Sequence, residues 1–388
     1  MELGDRELPD DLSHLITKIS QDAVAQGSFG DVWKCSLCHQ SRNVEIDVAV
    51  KVLRILPHDE GGKEDIRREM GLWKRMRHKH IVPFFGVANT FVPSRISLVS
   101  PWQSNGTLTS LLERKHDMNC KDRLLLLHDI ASGLLHSENV IHGDLTGFNV
   151  LIDTDGHARL TDFGLSSLVN AGEGLTYLAV TTGRPGALRW VAPELVVKDN
   201  NHIAPTFGSD IYSFGSVMLQ TLSGRLPWSE IKNSHVIIIK LYEECLPQRP
   251  DSLPILDAHW DFIMLCMNLV VESRPVAVEV VKWVKEAISS WNGNTGAEAK
   301  KLSPLPSLHH RMLLNNFLQI RCGSSAGARV RWEIWATGAP HAPTWYASVY
   351  VDDMKYGEGI SSTKGGAIDI AARQAVESLN REGNVVAS

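Results

Sequence analysis

His142-Gly143-Asp144-Leu145-Thr146-Gly147-Phe148-Asn149 leads into Val150-Leu151-Ile152, and after Asp155-Gly156 the chain returns through Leu160-Thr161-Asp162-Phe163-Gly164. Two short apolar runs around an Asp-Gly turn predict a β-hairpin. Its arms carry Asn149 at one end and Asp162 at the other. That sets two hard oxygen ligands together, the donor type Mg²⁺ takes alongside a nucleotide. Asp144, in the loop before the hairpin, is placed to accept a hydroxyl proton. Any one of these carboxylates alone reads equally well as a turn residue or helix cap. The set at these spacings points to phosphate chemistry.

Upstream, Gly27-Ser28-Phe29-Gly30-Asp31-Val32 is a glycine-rich turn between two expected strands. Glycine lets backbone N–H groups approach phosphate oxygens without a Cβ clash. The usual fingerprint has one more glycine two residues earlier, where this chain has Ala25. Lys51 follows in the β-branched run Val48-Ala49-Val50-Lys51-Val52. An ammonium in an apolar strand needs an anion, unless the strand is an edge and the side chain reaches solvent. Glu69 is a candidate partner on an amphipathic helix over 64–77, whose Ile66, Met70 and Trp73 share a face. A Lys51–Glu69 pair would hold the ammonium against two phosphates. Short strands are expected near Val82–Val87 and Ile96–Ser100. Beyond Asn105-Gly106 the pattern is mainly helical, and its last long helix is Val276–Ile288.

The chain has 388 residues, which predicts two or three domains. Hydrophobic and charged fractions of 43% and 21% are ordinary for globular proteins. A net charge of −5 does not advertise a nucleic-acid binder, so any such contact must come from a local patch. No apolar run is long enough for a bilayer, and Met1–Asp11 is acidic, unlike a secretory signal. No membrane partner and a cytoplasmic setting are expected, with a nuclear one also open. Six scattered cysteines fit a reducing compartment. Cys35-Ser36-Leu37-Cys38-His39 matches the haem-attachment pattern, but it sits in a β-rich stretch and reads better as strand cysteines.

These motifs in this order resemble the eukaryotic protein kinases: the glycine-rich loop, Val48-Ala49-Val50-Lys51, His142-Gly143-Asp144 with Asn149, Asp162-Phe163-Gly164 and Ala192-Pro193-Glu194. Ser209-Asp210-Ile211-Tyr212-Ser213-Phe214-Gly215 and Arg274-Pro275 extend the match. Arg189-Trp190-Val191 and the His142–Gly147 stretch look most like the tyrosine-kinase-like group as found in fungi. The resemblance implies an α+β bilobal protein-kinase fold over 19–288, after an extension at 1–18. It implies ATP and Mg²⁺ as cofactors and a protein as substrate. By the same resemblance, Lys51 orients the α- and β-phosphates, Glu69 holds Lys51, Asp162 and Asn149 bind Mg²⁺, and Asp144 positions the attacking hydroxyl. Gly27, Ser28, Phe29, Gly30, Val32 and Ala49 would surround ATP, with Ser100 as gatekeeper and Pro101 and Gln103 in the hinge. Glu194 and Arg274 would form a structural pair.

Several positions depart from that pattern. Gly143 replaces the arginine that in many kinases receives an activation-loop phosphate, so weak dependence on phosphorylation at Thr176, Tyr177, Thr181 and Thr182 is expected. Thr146 stands where serine/threonine kinases usually carry lysine, and Ala187 where they carry threonine. A serine/threonine acceptor then rests on the group resemblance. Gly133-Leu134-Leu135-His136-Ser137 is two residues shorter than the family's stretch. Two residues turn a helix by about 200°, so the helix must end early or bulge. That shortening supports the alternative of a pseudokinase scaffold.

Ser289–Ser307 has linker composition, with Asn292-Gly293-Asn294, Gly296, Pro304 and Pro306. Beyond it, 308–388 reads as a helix at Leu308–Ile320, strands at Arg329–Thr337 and Thr344–Val351 joined through Gly338–Trp345, a third extended stretch at Tyr356-Gly357-Glu358-Gly359, and an Ala-rich helix at Lys364–Leu379. This small α-β-β-β-α order resembles the double-stranded-RNA-binding domain. In that family the second helix opens with lysines aimed at phosphates across the major groove. Here Lys364 matches, while Gly365 and Ile368 occupy the other lysine positions. Each lost phosphate contact weakens binding. From Leu308 onward there are eight Lys/Arg and seven Asp/Glu, hardly a basic stripe. Asn316, Gln319 and His341 are candidates for reading 2′-hydroxyls. Double-stranded RNA and a docked protein both remain open as partners of this domain.

Overall fold

The computed structural model describes residues 11–26, 30–39, 44–54, 70–89, 91–92, 95–136, 140–163, 186–197, 204–250, 255–291, 309–322, 329–339 and 342–386. The chain divides into two compact units. One comprises residues 1–117, 129–188 and 199–206; the other comprises 118–128, 189–198 and 207–388.

The first unit is built on an antiparallel sheet of β1 (Ile16–Lys18), β2 (Ala25–Gln26), β3 (Gly30–His39), β4 (Val44–Leu53), β5 (Gly86–Val87) and β6 (Ser97–Pro101). Its order is β1-β3-β4-β6-β5, with β2 also pairing β3. The sheet takes in residues that the sequence reading assigned to an extension: Ile16–Lys18 pair with β3, and the Leu12 N–H donates to the Val87 carbonyl at 2.7 Å. The strand expected over Val82–Val87 shrinks to Gly86–Val87, because Pro83 has no N–H to give a ladder. β4 alternates as its β-branched pattern requires. Val48 and Val50 bury on one face with Cys35, Leu37 and Val99. Leu53 packs on the other with Leu98, Trp73 and Phe84. Trp73 belongs to the helical residues 70–75, stacks on Phe84 at 4.9 Å and donates its indole N–H to the Val82 carbonyl at 2.8 Å.

α1 (Leu108–Arg114) follows β6, and α2 (Cys120–His136) follows α1. The predicted hairpin is present as β7 (Val150–Ile152) and β8 (Ala158–Leu160), with Val150 opposite Leu160. Gly133 lets α2 lie against it: a Cβ there would stand 2.8 Å from the His80 carbonyl oxygen and 2.9 Å from a Leu160 methyl. α2 is helical to His136; Ser137, in the shortened stretch, lies outside the described residues.

The second unit holds α3 (Glu194–Val197), α4 (Phe207–Ser223), α5 (Ser234–Tyr242), α6 (Asp257–Cys266), α7 (Ala277–Ser289) and the C-terminal domain. α4 is buried on every side, the mark of a central helix. Trp283 of α7 stacks on Phe262 of α6 at 4.0 Å. The C-terminal domain runs α8 (His309–Cys322), β9 (Val330–Ala339), β10 (Ala342–Val351), β11 (Met354–Ser361) and α9 (Lys364–Val386). Its antiparallel sheet has the order β11-β10-β9. β9 and β10 are longer than expected, since Gly338 pairs with Pro343 inside the ladder instead of in a loop. Asp352 and Asp353, at φ of 50° and 62°, make the tight turn between β10 and β11. Gly357 and Gly359 bring α9 directly onto β11: a Cβ at either would overlap the carbonyl of Ala371 or Ala367. The alanine-rich face of α9 is the matching half of that contact. No described helix is long and apolar enough to cross a membrane.

Candidate active site

Lys51 is 9% exposed near the C-terminal end of β4, opposite Val32 on β3 and Leu98 on β6. Directly opposed residues share a face, so Val32, Ala49, Lys51 and Ser100 lie on one side of the sheet. A buried ammonium needs a counter-charge, and Lys51 Nζ finds Asp162 Oδ2. Gly30 lets β3 approach the end of β4 closely: a Cβ there would overlap the Val52 carbonyl.

Asp162 follows β8 at φ 65°, a left-handed conformation that is uncommon for a residue with a side chain. It is 6% exposed. Asn149 immediately precedes β7. Its Nδ2 donates to the Asp144 carbonyl at 2.7 Å and to Asp144 Oδ2 at 2.9 Å, leaving Oδ1 as its acceptor. The Thr161 N–H donates to the Asn149 carbonyl at 3.0 Å, tying the two hairpin ends together. Asp144, Asn149, Asp162 and Lys51 therefore converge within one unit.

The loop carrying Asp144 is organised by Thr146, Gly143 and His142. Thr146 Oγ1 accepts from the Phe148 and Asn149 N–H groups at 3.2 and 3.3 Å, an ST-turn that fixes Asn149. Gly143 has φ 75°, where glycine is free and an arginine would be strained. His142 is fully buried and packs against Phe163 with centroids 4.5 Å apart. Burial pushes its imidazole down to about 4, against the opposing pull of the Asp162 charge. A neutral His142 leaves Nδ1 able to accept the Asp144 N–H at 3.3 Å. That role carries no sequence signal beyond the residue type.

Among the other expected positions, Ser100 and Pro101 end β6, opposite Ala49 and Val48. Gln103 Nε2 reaches the Pro101 carbonyl at 3.4 Å, and its own carbonyl accepts from Gly106 N–H at 3.2 Å. Gly27, Ser28, Phe29 and Glu69 lie outside the described residues, as do Thr176, Tyr177, Thr181 and Thr182. In the second unit, Glu194 and Arg274 form a bidentate pair at 2.6 and 2.8 Å. Arg274 also donates to the Asn268 and Gly208 carbonyls, at 2.7 and 2.9 Å, and lies over the Tyr212 ring. Cys35 and Cys38 are three apart on β3, which sends their side chains to opposite faces. Cys35 is buried and Cys38 exposed, an arrangement that cannot clasp one haem.

The residues fit a magnesium–nucleotide complex by donor chemistry. No group of three or more His, Cys, Asp or Glu among the described residues can hold a metal. Asp162 and Asn149 offer two hard oxygens. That leaves coordination positions for phosphate oxygens and water, as Mg²⁺ prefers.

In the C-terminal domain, Asn316 and Gln319 fall on α8, and His341 lies outside the described residues. Lys364 is exposed at the first position of α9. Ile368, at a lysine position of the RNA-binding motif, is instead core, 2% exposed among Leu314, Val349 and Ala371.

Residues 19–284 match the family described as protein tyrosine and serine/threonine kinase. Residues 312–379 match the double-stranded RNA binding motif. Similar proteins include L-type lectin-domain containing receptor kinase I.8 of Arabidopsis thaliana, 29% identical over 69% of this chain and 40% of the relative. Serine/threonine-protein kinase STY46 of the same plant is 27% identical over 72% of this chain and 46% of its own length. Serine/threonine-protein kinase TNNI3K of Mus musculus is 29% identical over 73% of this chain and 33% of its own length. The chain thus spans less than half the length of each of these relatives.

Proposed function

Because the chain belongs to the protein tyrosine and serine/threonine kinase family, we propose that it transfers the γ-phosphoryl of Mg-ATP to a hydroxyl of a protein substrate, with serine or threonine as acceptor. The convergence of Lys51, Asp144, Asn149 and Asp162 in one unit is the observation that carries this reading. Lys51 orients the α- and β-phosphates, with Asp162 as an anion beside its ammonium and Glu69 as its proposed holder. Asp162 and Asn149 Oδ1 would hold the metal. When bound, magnesium neutralises charge on the β- and γ-phosphate oxygens. Asp144 accepts the proton of the acceptor hydroxyl as its oxygen bonds to the γ-phosphorus and the bond to ADP breaks. Asn149, bonded to Asp144, keeps base and metal in register. Two similar proteins named as serine/threonine-protein kinases support the acceptor type.

The test is transfer from γ-labelled ATP to a generic protein substrate, wild type against Asp144→Ala. A loss of roughly 10²-fold or more is expected, with label on serine or threonine after hydrolysis of the product. Label on tyrosine would move the acceptor assignment. Absence of transfer by wild type would favour the pseudokinase scaffold, which the shortened stretch at 133–137 supports. For the C-terminal domain we infer duplex RNA as ligand, on the strength of the matched motif and the exposed Lys364. A salt-sensitive shift with long duplex RNA, absent with duplex DNA, is the expected result.

A further inference from the structure

The C-terminal domain is fastened to helices of the kinase-matched segment by a polar contact that is almost fully buried. Arg311 of α8, its side chain 2% exposed, donates from Nη2 to Glu279 Oε1 of α7 at 2.7 Å. Asn268 Nδ2, just past α6, donates to Asn315 Oδ1 of α8 at 2.8 Å, and both residues are buried. The same Asn268 gives its carbonyl to Arg274, so this contact is built on the bidentate Glu194–Arg274 pair. Leu314 and Leu318 of α8 face Leu269 and Val270 beside these polar groups. A buried arginine–carboxylate pair of this geometry is not a casual surface contact. Once one partner is removed, the other charge is left in a dry environment.

Glu279 has a second neighbour. Its carboxylate stands so close to the first turn of α9 that a Cβ on Gly365 would lie 2.5 Å from Oε1. Gly365 occupies one of the positions from which the RNA-binding motif directs a lysine at phosphate. An acidic oxygen thus sits at the positive end of a long helix, where an RNA phosphate would be favoured. The glycine is what admits it, since no side chain fits there without moving Glu279. Glu279 is itself held from its own helix, accepting the Val276 N–H at Oε2 over 3.0 Å.

We propose that Glu279 is a built-in competitor of duplex RNA. It docks the C-terminal domain through Arg311 and occupies the phosphate-facing start of α9, so docking and RNA binding exclude each other. The competition rests on the RNA reading of the C-terminal domain; the docking does not. Two variants of the full chain separate them. Arg311→Leu removes a cation, so simple charge counting calls for weaker RNA binding. Gly365→Leu adds no charge but drives a side chain into Glu279.

Both variants are expected to raise amide hydrogen exchange in α8, with α4 unchanged as the control for folding. Both are also expected to bind long duplex RNA at fixed salt about fivefold or more tighter than wild type. Unchanged exchange of α8 in both variants overturns the docking. Faster exchange with equal or weaker RNA binding overturns the competition. Faster exchange with no RNA bound by wild type or either variant removes the RNA reading and the competition together, and leaves the docked arrangement standing.

Discussion

Thr146 stands where serine/threonine kinases usually carry lysine, and its hydroxyl accepts the two N–H groups that place Asn149. Thr146→Val keeps the shape and removes the acceptor, at a cost of about 1 kcal/mol. The expected kinetic result is a several-fold drop in kcat at saturating Mg-ATP, with Thr146→Ser near wild type. Steady-state kinetics of the two variants checks this. By the family pattern Gly143 is a missing phosphate receptor; its φ of 75° gives a backbone reason for the same residue. That Lys51, Asp144, Asn149 and Asp162 come together is legible in the sequence through residue type and spacing; their catalytic roles belong to the proposal. His142 was legible only as part of a motif, since its work is done by burial, which one sequence does not display.

At the scale of elements, the close approach of α9 to β11 depends on two positions without a Cβ. Gly359→Ala would push a methyl into the Ala367 carbonyl, and overpacking of this kind costs roughly 1–3 kcal/mol or more. The C-terminal domain should melt earlier, while transfer activity by the kinase-matched segment persists; calorimetry and an activity assay on one preparation test both. Helix and strand identities were largely readable, because β4 and α9 carry clear periods. Ends were less so. β9 and β10 run past the expected loop because Gly338 pairs within the ladder, and β5 stops short because Pro83 cannot donate. Pairing partners, not local composition, set those limits.

At the scale of the whole molecule, two buried imidazoles contribute to the pH response. Burial pushes His142 and His259 down to about 4 from an ordinary 6.5, in His142 against the Asp162 charge. The unfolded chain then binds more protons than the folded one between those values. Stability present above the ordinary value is lost as pH falls through the window, by up to about 3 kcal/mol per group. His259 packs beside Trp283, away from the proposed catalytic groups. His259→Leu should therefore gain on wild type in thermal midpoint between about pH 7.5 and about pH 5. A constant difference across that range would remove His259 from the acid response.

Phosphoryl transfer by wild type and Lys51→Met, compared in single turnover with labelled ATP, bears on the catalytic proposal most directly. The prediction is a variant that still folds, with a lower melting midpoint because Asp162 loses its buried counter-charge, and whose transfer falls by roughly 10²-fold or more. Equal rates in the two proteins would contradict it, because the ammonium at the centre of the site would then have no part in the chemistry.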